Sequence, residues 1–145
     1  MRKFYVLLVL TLLLFTSYRL APREQDNERD LLAKLVYLEA GTCGQDCQRA
    51  IVSVVLNQLE AGYWGDSIEK VIYHDGNYSV AHLLEECERP PQNCYDAVDY
   101  VLTHGRTLPA EVRYFRADYD HSWEGYENYA VYDNVYFGYF INGNH

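Results

Sequence analysis

Residues 31–59 read LLAKLVYLEAGTCGQDCQRAIVSVVLNQL and predict two helices joined by a short turn. In residues 31–40 the apolar side chains recur at helical spacing, and Asp30 and Gly41 are suited to begin and to end that helix. The second helix, predicted over residues 47–59, has so few polar positions that we expect it at the buried centre of the domain.

Two further helices follow in the pattern. A short one begins at Asp66 or Ser67 and runs to Ile72, and a longer one, with Asn93 as its N-cap, ends at Gly105. Both have apolar residues at helical spacing, so we expect each to pack one face against the central helix.

The composition changes after Pro109. Residues 112–119 and 130–141 are rich in Tyr, Phe and Val and predict strands, with a hairpin turn at Asp133 and Asn134. The expected fold class is therefore α+β, with helices in the N-terminal half and a small aromatic-rich β-sheet in the C-terminal half.

The N-terminus has the layout of an export signal. Arg2 and Lys3 precede an apolar run over residues 4–15, which is shorter than the roughly 20 residues that span a bilayer. We expect residues 1–21 to direct export, either as a cleaved signal peptide or as a retained membrane anchor. Residues 22–30 are polar and predict a linker, which leaves 31–145 as the functional domain.

The composition limits the partners. The chain has 145 residues, 21 acidic against 12 basic side chains, and a formal net charge of −9. Nucleic acid is not expected as a partner, because phosphate binding requires clustered Lys and Arg. The 15 tyrosines suit half-buried strands or a groove that binds sugars. We expect a monomer without a cofactor or metal, in contact with the membrane only through its N-terminal segment.

The four cysteines stand at positions 43, 47, 87 and 94. An even number in an exported chain favours disulfides, and local pairing of Cys43 with Cys47 and of Cys87 with Cys94 is the simplest of three arrangements. The sequence does not choose among them. A zinc site of four thiolates is the alternative, although these spacings differ from those of common zinc sites.

One carboxylate lies at an unusual position. Glu39 shares the apolar face of its helix with Leu35 and Val36, so burial would raise its pKa and suit it to act as a general acid. Gln48 and Asn57 are amides in an otherwise apolar helix, where they could bind a substrate or orient Glu39. The alternative is structural: the acid pairs with an arginine, and the amides satisfy backbone groups.

The segment that contains Glu39 resembles the catalytic domain of the SleB/CwlJ cell wall hydrolases, which open with a pattern close to Y-x-E-A-x-G…Q…V-V-L-N-R. The matching residues are Tyr37, Glu39, Ala40, Gln48 and Asn57. Weaker matches follow at residues 71–73, 76–79, 108–114 and 135–137. The sequence departs from the pattern at Cys43, where many members have a second Glu, at Gln58 in place of Arg, and at Asn77 in place of Gln.

This resemblance implies a lysozyme-like α+β domain that cleaves peptidoglycan glycan strands, with Glu39 as the catalytic residue. A single acid favours a lytic transglycosylase, which forms a 1,6-anhydromuramic product, whereas a hydrolase normally uses two carboxylates. The alternatives are muramidase or glucosaminidase hydrolysis, N-acetylmuramoyl-L-alanine amidase activity, and a catalytically silent protein that binds the wall.

The expected substrate-binding residues combine the matched motif with aromatic side chains of the C-terminal half. They are Tyr37, Gln48, Asn57, Asn77, Tyr78, Tyr114 and Tyr136. Tyr119, Trp123 and Phe137 are further candidates for a groove that stacks on sugar rings. The alternative is that alternate strand residues fill the core.

Overall fold

A computed structural model describes residues 25–117 and 123–141. The predicted export segment, residues 22–24 of the predicted linker and Tyr119 lie outside these ranges. Within them, no helix has the length and apolar character needed to cross a membrane.

The first helix, α1, includes residues 25–40 and is longer than predicted. Residues 25–30, predicted as part of a linker, instead belong to this helix, and Arg29 and Asp30 contact the last helix. Arg29 Nη2 donates to Asp99 Oδ2 over 2.7 Å, and the Tyr95 hydroxyl donates to Asp30 Oδ1 over 2.6 Å. Asp30 therefore lies within the helix and is not its N-cap.

The second helix, α2, spans Gln45–Ala61 and is the buried centre of the domain, as predicted. It packs against α3 (Ile68–Ile72), α4 (Gln92–His104) and the first strand. Ser67 caps α3 by accepting a hydrogen bond from the Lys70 N–H.

The helices differ from the prediction in two respects. The N-cap of α4 is Pro91 and not Asn93, because the helix begins at Gln92; its end at Gly105 is as predicted. A short 3₁₀ helix, Ala81–Leu83, lies between α3 and α4.

Three antiparallel strands form the sheet in the order β1-β3-β2: β1 is Tyr114–Ala117, β2 is Tyr126–Tyr132 and β3 is Val135–Phe140. Asp133 and Asn134 form the predicted hairpin turn, with φ of 49° and 64°. Two consecutive positive φ values match the turn type whose twist suits a two-residue hairpin.

The sheet joins the helices through one core. Phe137 on β3 is fully buried in the same apolar cluster as Leu32, Leu35 and Val36 of α1. Burial of an aromatic side chain of this size stabilises the fold by about 2–3 kcal/mol. This packing brings the C-terminal end of α1, where Glu39 lies, to the side of the domain that β1 borders.

Candidate active site

Glu39 lies on the wall of a cavity of about 370 Å³ between the helices and the sheet. The wall is formed by residues of α1, α2, the segment after α3, β1 and the positions that flank β1 and precede β2. They are Glu39, Val54, Gln58, Gly76, Asn77, Tyr78, Ser79, Arg113, Tyr114, Phe115, Arg116, Ala117 and Trp123. The cavity thus combines one carboxylate with aromatic rings, amides and two guanidinium groups.

Burial raises the pKa of Glu39 above its ordinary value, because desolvation disfavours the charged carboxylate. Among the residues that the structure describes, none forms an ion pair or hydrogen bond with this carboxylate that would offset the shift. Glu39 therefore keeps its proton to a higher pH than an exposed glutamate, as a general acid requires.

Tyr78 lies close to Glu39 and is only 6% exposed. Burial and the charge of Glu39 both raise the pKa of Tyr78, so its hydroxyl stays protonated. That hydroxyl donates to Gln58 Oε1 over 2.8 Å. The ring of Tyr78 therefore has one fixed orientation on the cavity wall.

Gln58 and Asn77 form a reciprocal amide pair. Gln58 Nε2 donates to Asn77 Oδ1 over 3.1 Å, and Asn77 Nδ2 donates to Gln58 Oε1 over 3.0 Å. Gln58 also donates to the Arg113 carbonyl, and Asn77 to the Val71 carbonyl, each over 2.8 Å. Two positions at which the sequence departs from the SleB/CwlJ pattern therefore contact each other, and their amide donors are already used within the protein.

Arg113 and Arg116 give the cavity two positive charges in a chain of net charge −9. The Arg116 guanidinium lies 5.2 Å from the ring centroid of Tyr126 and 4.9 Å from that of Tyr136, so two cation–π contacts hold it. Positive charge on the wall suits a substrate that has anionic substituents. Neither arginine was predicted as a site residue from the sequence, because a strand pattern does not mark a charge that faces a cavity.

The other predicted binding residues lie elsewhere. Gln48 is fully buried, with its Nε2 donating to the Ala40 carbonyl over 3.1 Å, and Asn57 is 1% exposed. Tyr37 is 43% exposed on α1, and Tyr136 packs against Arg116. None of the four lines the cavity. The structure brings together Glu39, Asn77, Tyr78 and Tyr114 from the predicted set, together with the further candidate Trp123.

The four cysteines are free thiols in this structure. The Sγ atoms of Cys43 and Cys47 and a carboxylate oxygen of Asp133 all lie within 4.8 Å of one another. Burial raises the pKa of the Cys47 thiol. None of these three residues lines the Glu39 cavity, and the disulfides stay a prediction.

Comparisons with known proteins give a family match and a structural match. A family profile described as Cell Wall Hydrolase matches residues 44–138, more than half of the chain. Glu39 precedes the matched segment. The catalytic domain of the Bacillus cereus SleB protein, a crystal structure, is similar with a TM-score of 0.70 and 16% identity, over 78% of this chain and 90% of that one. This match shows a similar fold. No curated protein matches the chain.

Proposed function

Because the chain belongs to the cell wall hydrolase family, as the resemblance of residues 37–57 had indicated, we propose that it cleaves the glycan strands of peptidoglycan. The observation that carries this proposal is Glu39, a carboxyl with a raised pKa on the wall of a cavity large enough for a sugar. A domain of this family acts on the wall outside the cytoplasm, which agrees with the predicted export of the chain.

The reaction needs one group that is first an acid and then a base. Protonated Glu39 donates its proton to the glycosidic oxygen, and the bond from that oxygen to C1 breaks with both electrons leaving on the oxygen. C1 becomes oxocarbenium-like. The Glu39 carboxylate then takes the proton of the muramic C6 hydroxyl while that oxygen bonds to C1. The product is a 1,6-anhydro end, Glu39 is protonated again, and no water is consumed.

A lytic transglycosylase is favoured over a hydrolase because Glu39 is the only acid among the cavity-lining residues that the structure describes. Hydrolysis of a glycosidic bond normally needs a second carboxylate across from the acid. Asp118 and Asp120 follow β1 in sequence and lie outside the described residues. They are the first candidates for a second carboxylate if the products require one.

The test is the mass of the soluble products that the full chain releases from purified peptidoglycan. We expect anhydromuramic ends, which are lighter by one water than reducing ends. Glu39→Gln should lower the rate about 10³-fold, the usual contribution of a general acid. Glu86→Gln, which changes an exposed glutamate outside the cavity, is the matched control and should leave the rate unchanged.

Other products would point to another reaction. Reducing muramic or glucosamine ends would replace the transglycosylase with a hydrolase, and Asp118→Asn and Asp120→Asn would then identify its second acid. Free stem peptides would indicate an amidase. Binding to peptidoglycan without any product would make the chain a wall-binding protein, and full activity of Glu39→Gln would exclude Glu39 as the acid.

A further inference from the structure

Three side chains that can bind a metal ion converge beside the turn between α1 and α2. The Sγ atoms of Cys43 and Cys47 and a carboxylate oxygen of Asp133 all lie within 4.8 Å of one another. Asp133 belongs to the turn between β2 and β3 and is 89 positions from Gly44, so the spacing of the cysteines in the sequence did not predict this cluster. The cluster lies apart from the residues that line the Glu39 cavity.

The donor atoms and their distances suit a zinc ion. Zinc binds thiolate sulfur at about 2.3 Å and carboxylate oxygen at about 2.0–2.2 Å in tetrahedral geometry, so two sulfurs on one ion lie about 3.8 Å apart. Atoms already within 4.8 Å of one another need only small side-chain rotations to reach this spacing. Two thiolates with one carboxylate favour Zn²⁺ over Mg²⁺ and Ca²⁺, which prefer oxygen ligands alone.

The backbone around the cluster orients its members. The Gly44 N–H donates to Asp133 Oδ2 over 2.7 Å, and hydrogen bonds of this kind fix the position of a metal-binding carboxylate. A Cβ at position 44 would lie 3.3 Å from the same oxygen, so the glycine permits this close approach. Cys47 lies in the first turn of α2, where the N-terminal end of the helix favours the negative charge of a thiolate.

A cation can reach the cluster from the solvent. Gly44 and Asp133 line a surface cavity of about 390 Å³. Cys43 is partly exposed and Asp133 is exposed, whereas Cys47 is buried. The cluster therefore has two members within reach of water and one that anchors it to the core, and a water molecule can complete a four-coordinate site.

We propose that the reduced chain binds one Zn²⁺ ion through Cys43 Sγ, Cys47 Sγ and a carboxylate oxygen of Asp133, with water as the fourth ligand. Each thiol releases its proton to the solvent as its sulfur bonds to the metal, and no electron is transferred. The ion links the turn after α1 to the β2–β3 hairpin. A Cys43–Cys47 disulfide would remove both thiolates, so the disulfide and the zinc complex are alternative states of the same pair.

The first measurement is the absorption of Co²⁺ added to the reduced full chain, because Co²⁺ replaces Zn²⁺ and gives a near-ultraviolet charge-transfer band when thiolates bind it. A phosphine keeps the cysteines reduced without adding thiols. We expect one Co²⁺ per chain, displaced by Zn²⁺. Thermal unfolding with and without Zn²⁺ is the second readout, since an ion that binds the folded state raises the Tm.

The variants separate the three ligands. Cys43→Ser/Cys47→Ser should lose both the band and the rise in Tm. Asp133→Asn keeps an acceptor for the Gly44 N–H but removes the charge, and it should weaken Zn²⁺ binding at least roughly tenfold. Cys87→Ser and Asp75→Asn are the matched controls, a cysteine and an exposed aspartate outside the cluster, and should bind as the parent does.

The state of the thiols gives a further check. The chain treated with oxidised glutathione until Cys43 and Cys47 form a disulfide should bind no Zn²⁺. Absence of the band in the reduced parent, or a band that survives Cys43→Ser/Cys47→Ser, would overturn this inference. Equal Zn²⁺ affinities of Asp133→Asn and the parent would also overturn it, because a thiolate pair would then suffice. None of these readouts depends on glycan cleavage, so they leave the proposed function untouched.

Discussion

The two walls of the Glu39 cavity use their polar side chains in opposite ways. On the helical wall, α2 contributes Gln58, and beside it Asn57, whose amides are buried and bonded to backbone carbonyls. On the sheet wall, the whole edge strand β1 borders the cavity and presents Tyr114 and Arg116 to it. The amides of the helical wall are thus bonded within the protein, whereas Tyr114 and Arg116 line the cavity.

The two walls are connected by the helical amides. Asn57 Nδ2 donates to the carbonyls of Pro109 and Val112, each over 2.8 Å, and Gln58 donates to that of Arg113. These carbonyls belong to the segment that leads directly into β1. The helix therefore positions the strand, so a substitution of these α2 amides should mainly cost stability, whereas one on the sheet wall of the Glu39 cavity should mainly cost substrate binding.

The largest effect on stability is expected for Asn57→Ala. The substitution leaves the buried Val112 carbonyl and the partly buried Pro109 carbonyl without their donor, and it removes the acceptor of an Arg106 hydrogen bond. An unsatisfied buried group costs about 1–3 kcal/mol, so we expect the free energy of unfolding to fall by about 3 kcal/mol. Urea unfolding measures this change.

Asn128→Ala is the matched control, because Asn128 is an exposed asparagine on β2. Its free energy of unfolding should stay within about 0.5 kcal/mol of the wild type. If Asn57→Ala keeps its stability and instead loses affinity for glycan fragments, the structural role assigned to the α2 amides is wrong. That result would restore the substrate-binding role predicted for Asn57 from the sequence.

The sequence predicts the fold where the signal is local. Helical spacing located the four helices, and Asp133 and Asn134 marked the hairpin turn, because neighbouring residues set both features. The linker prediction failed for residues 25–30 because Arg29 pairs with Asp99, which is 70 positions away in the chain. Only the tertiary structure supplies that partner.

The same limit applies to the site. A polar residue on an apolar helical face is an anomaly in any sequence, and this criterion selected Glu39, Gln48 and Asn57 alike. The structure separates them by their partners: the two amides bond to backbone carbonyls, whereas Glu39 faces a cavity. Since a backbone carbonyl has no signature in the sequence, the pattern could not make this distinction.

The next largest effect concerns the turn that joins α1 to α2. The Sγ atoms of Cys43 and Cys47 lie within 4.8 Å, and the Gly44 N–H between them donates to Asp133 Oδ2 over 2.7 Å. We expect a Cys43–Cys47 disulfide in the exported protein. A loop this short should stabilise the fold by about 2 kcal/mol, a loss expected in Cys43→Ser/Cys47→Ser.

Peptide mass mapping without reduction detects this bond, and unfolding with and without reductant gives its contribution. The Cys43→Ser/Cys47→Ser variant should lose the response to reductant that this bond causes, while its glycan affinity stays unchanged, because neither residue lines the cavity. Alkylation of both thiols in the exported protein, with no loss of stability in the variant, would exclude the disulfide.

A smaller effect is expected for Tyr78→Phe, because Tyr78 combines a position on the cavity wall with a hydrogen bond inside the protein. Tyr78 lines the cavity, yet its hydroxyl donates to Gln58 Oε1. Loss of this hydrogen bond should lower the free energy of unfolding by about 1 kcal/mol. KM should stay within about twofold, because the hydroxyl is already committed within the protein. A rise in KM with unchanged stability would instead assign the hydroxyl to the substrate.

The smallest effect expected is on the pH dependence of the free energy of unfolding, measured for Glu39→Gln against the wild type. The sign of this effect distinguishes a functional carboxyl from a structural one. Burial raises the pKa of Glu39 in the folded protein above its value in the unfolded chain, so the folded state binds more protons between these two values. The wild type therefore loses stability as the pH rises through that window. Glutamine does not titrate, so Glu39→Gln should be the more stable protein above the window, and the difference should shrink below the ordinary glutamate pKa of about 4.3.

Urea unfolding at an acidic and at a neutral pH measures this difference in stability. A variant that is less stable only at neutral pH would mean that the carboxylate has a stabilising partner. A variant that is more stable yet inactive would show that Glu39 is kept for chemistry at the expense of the fold, the reverse of Asn57 on the neighbouring helix.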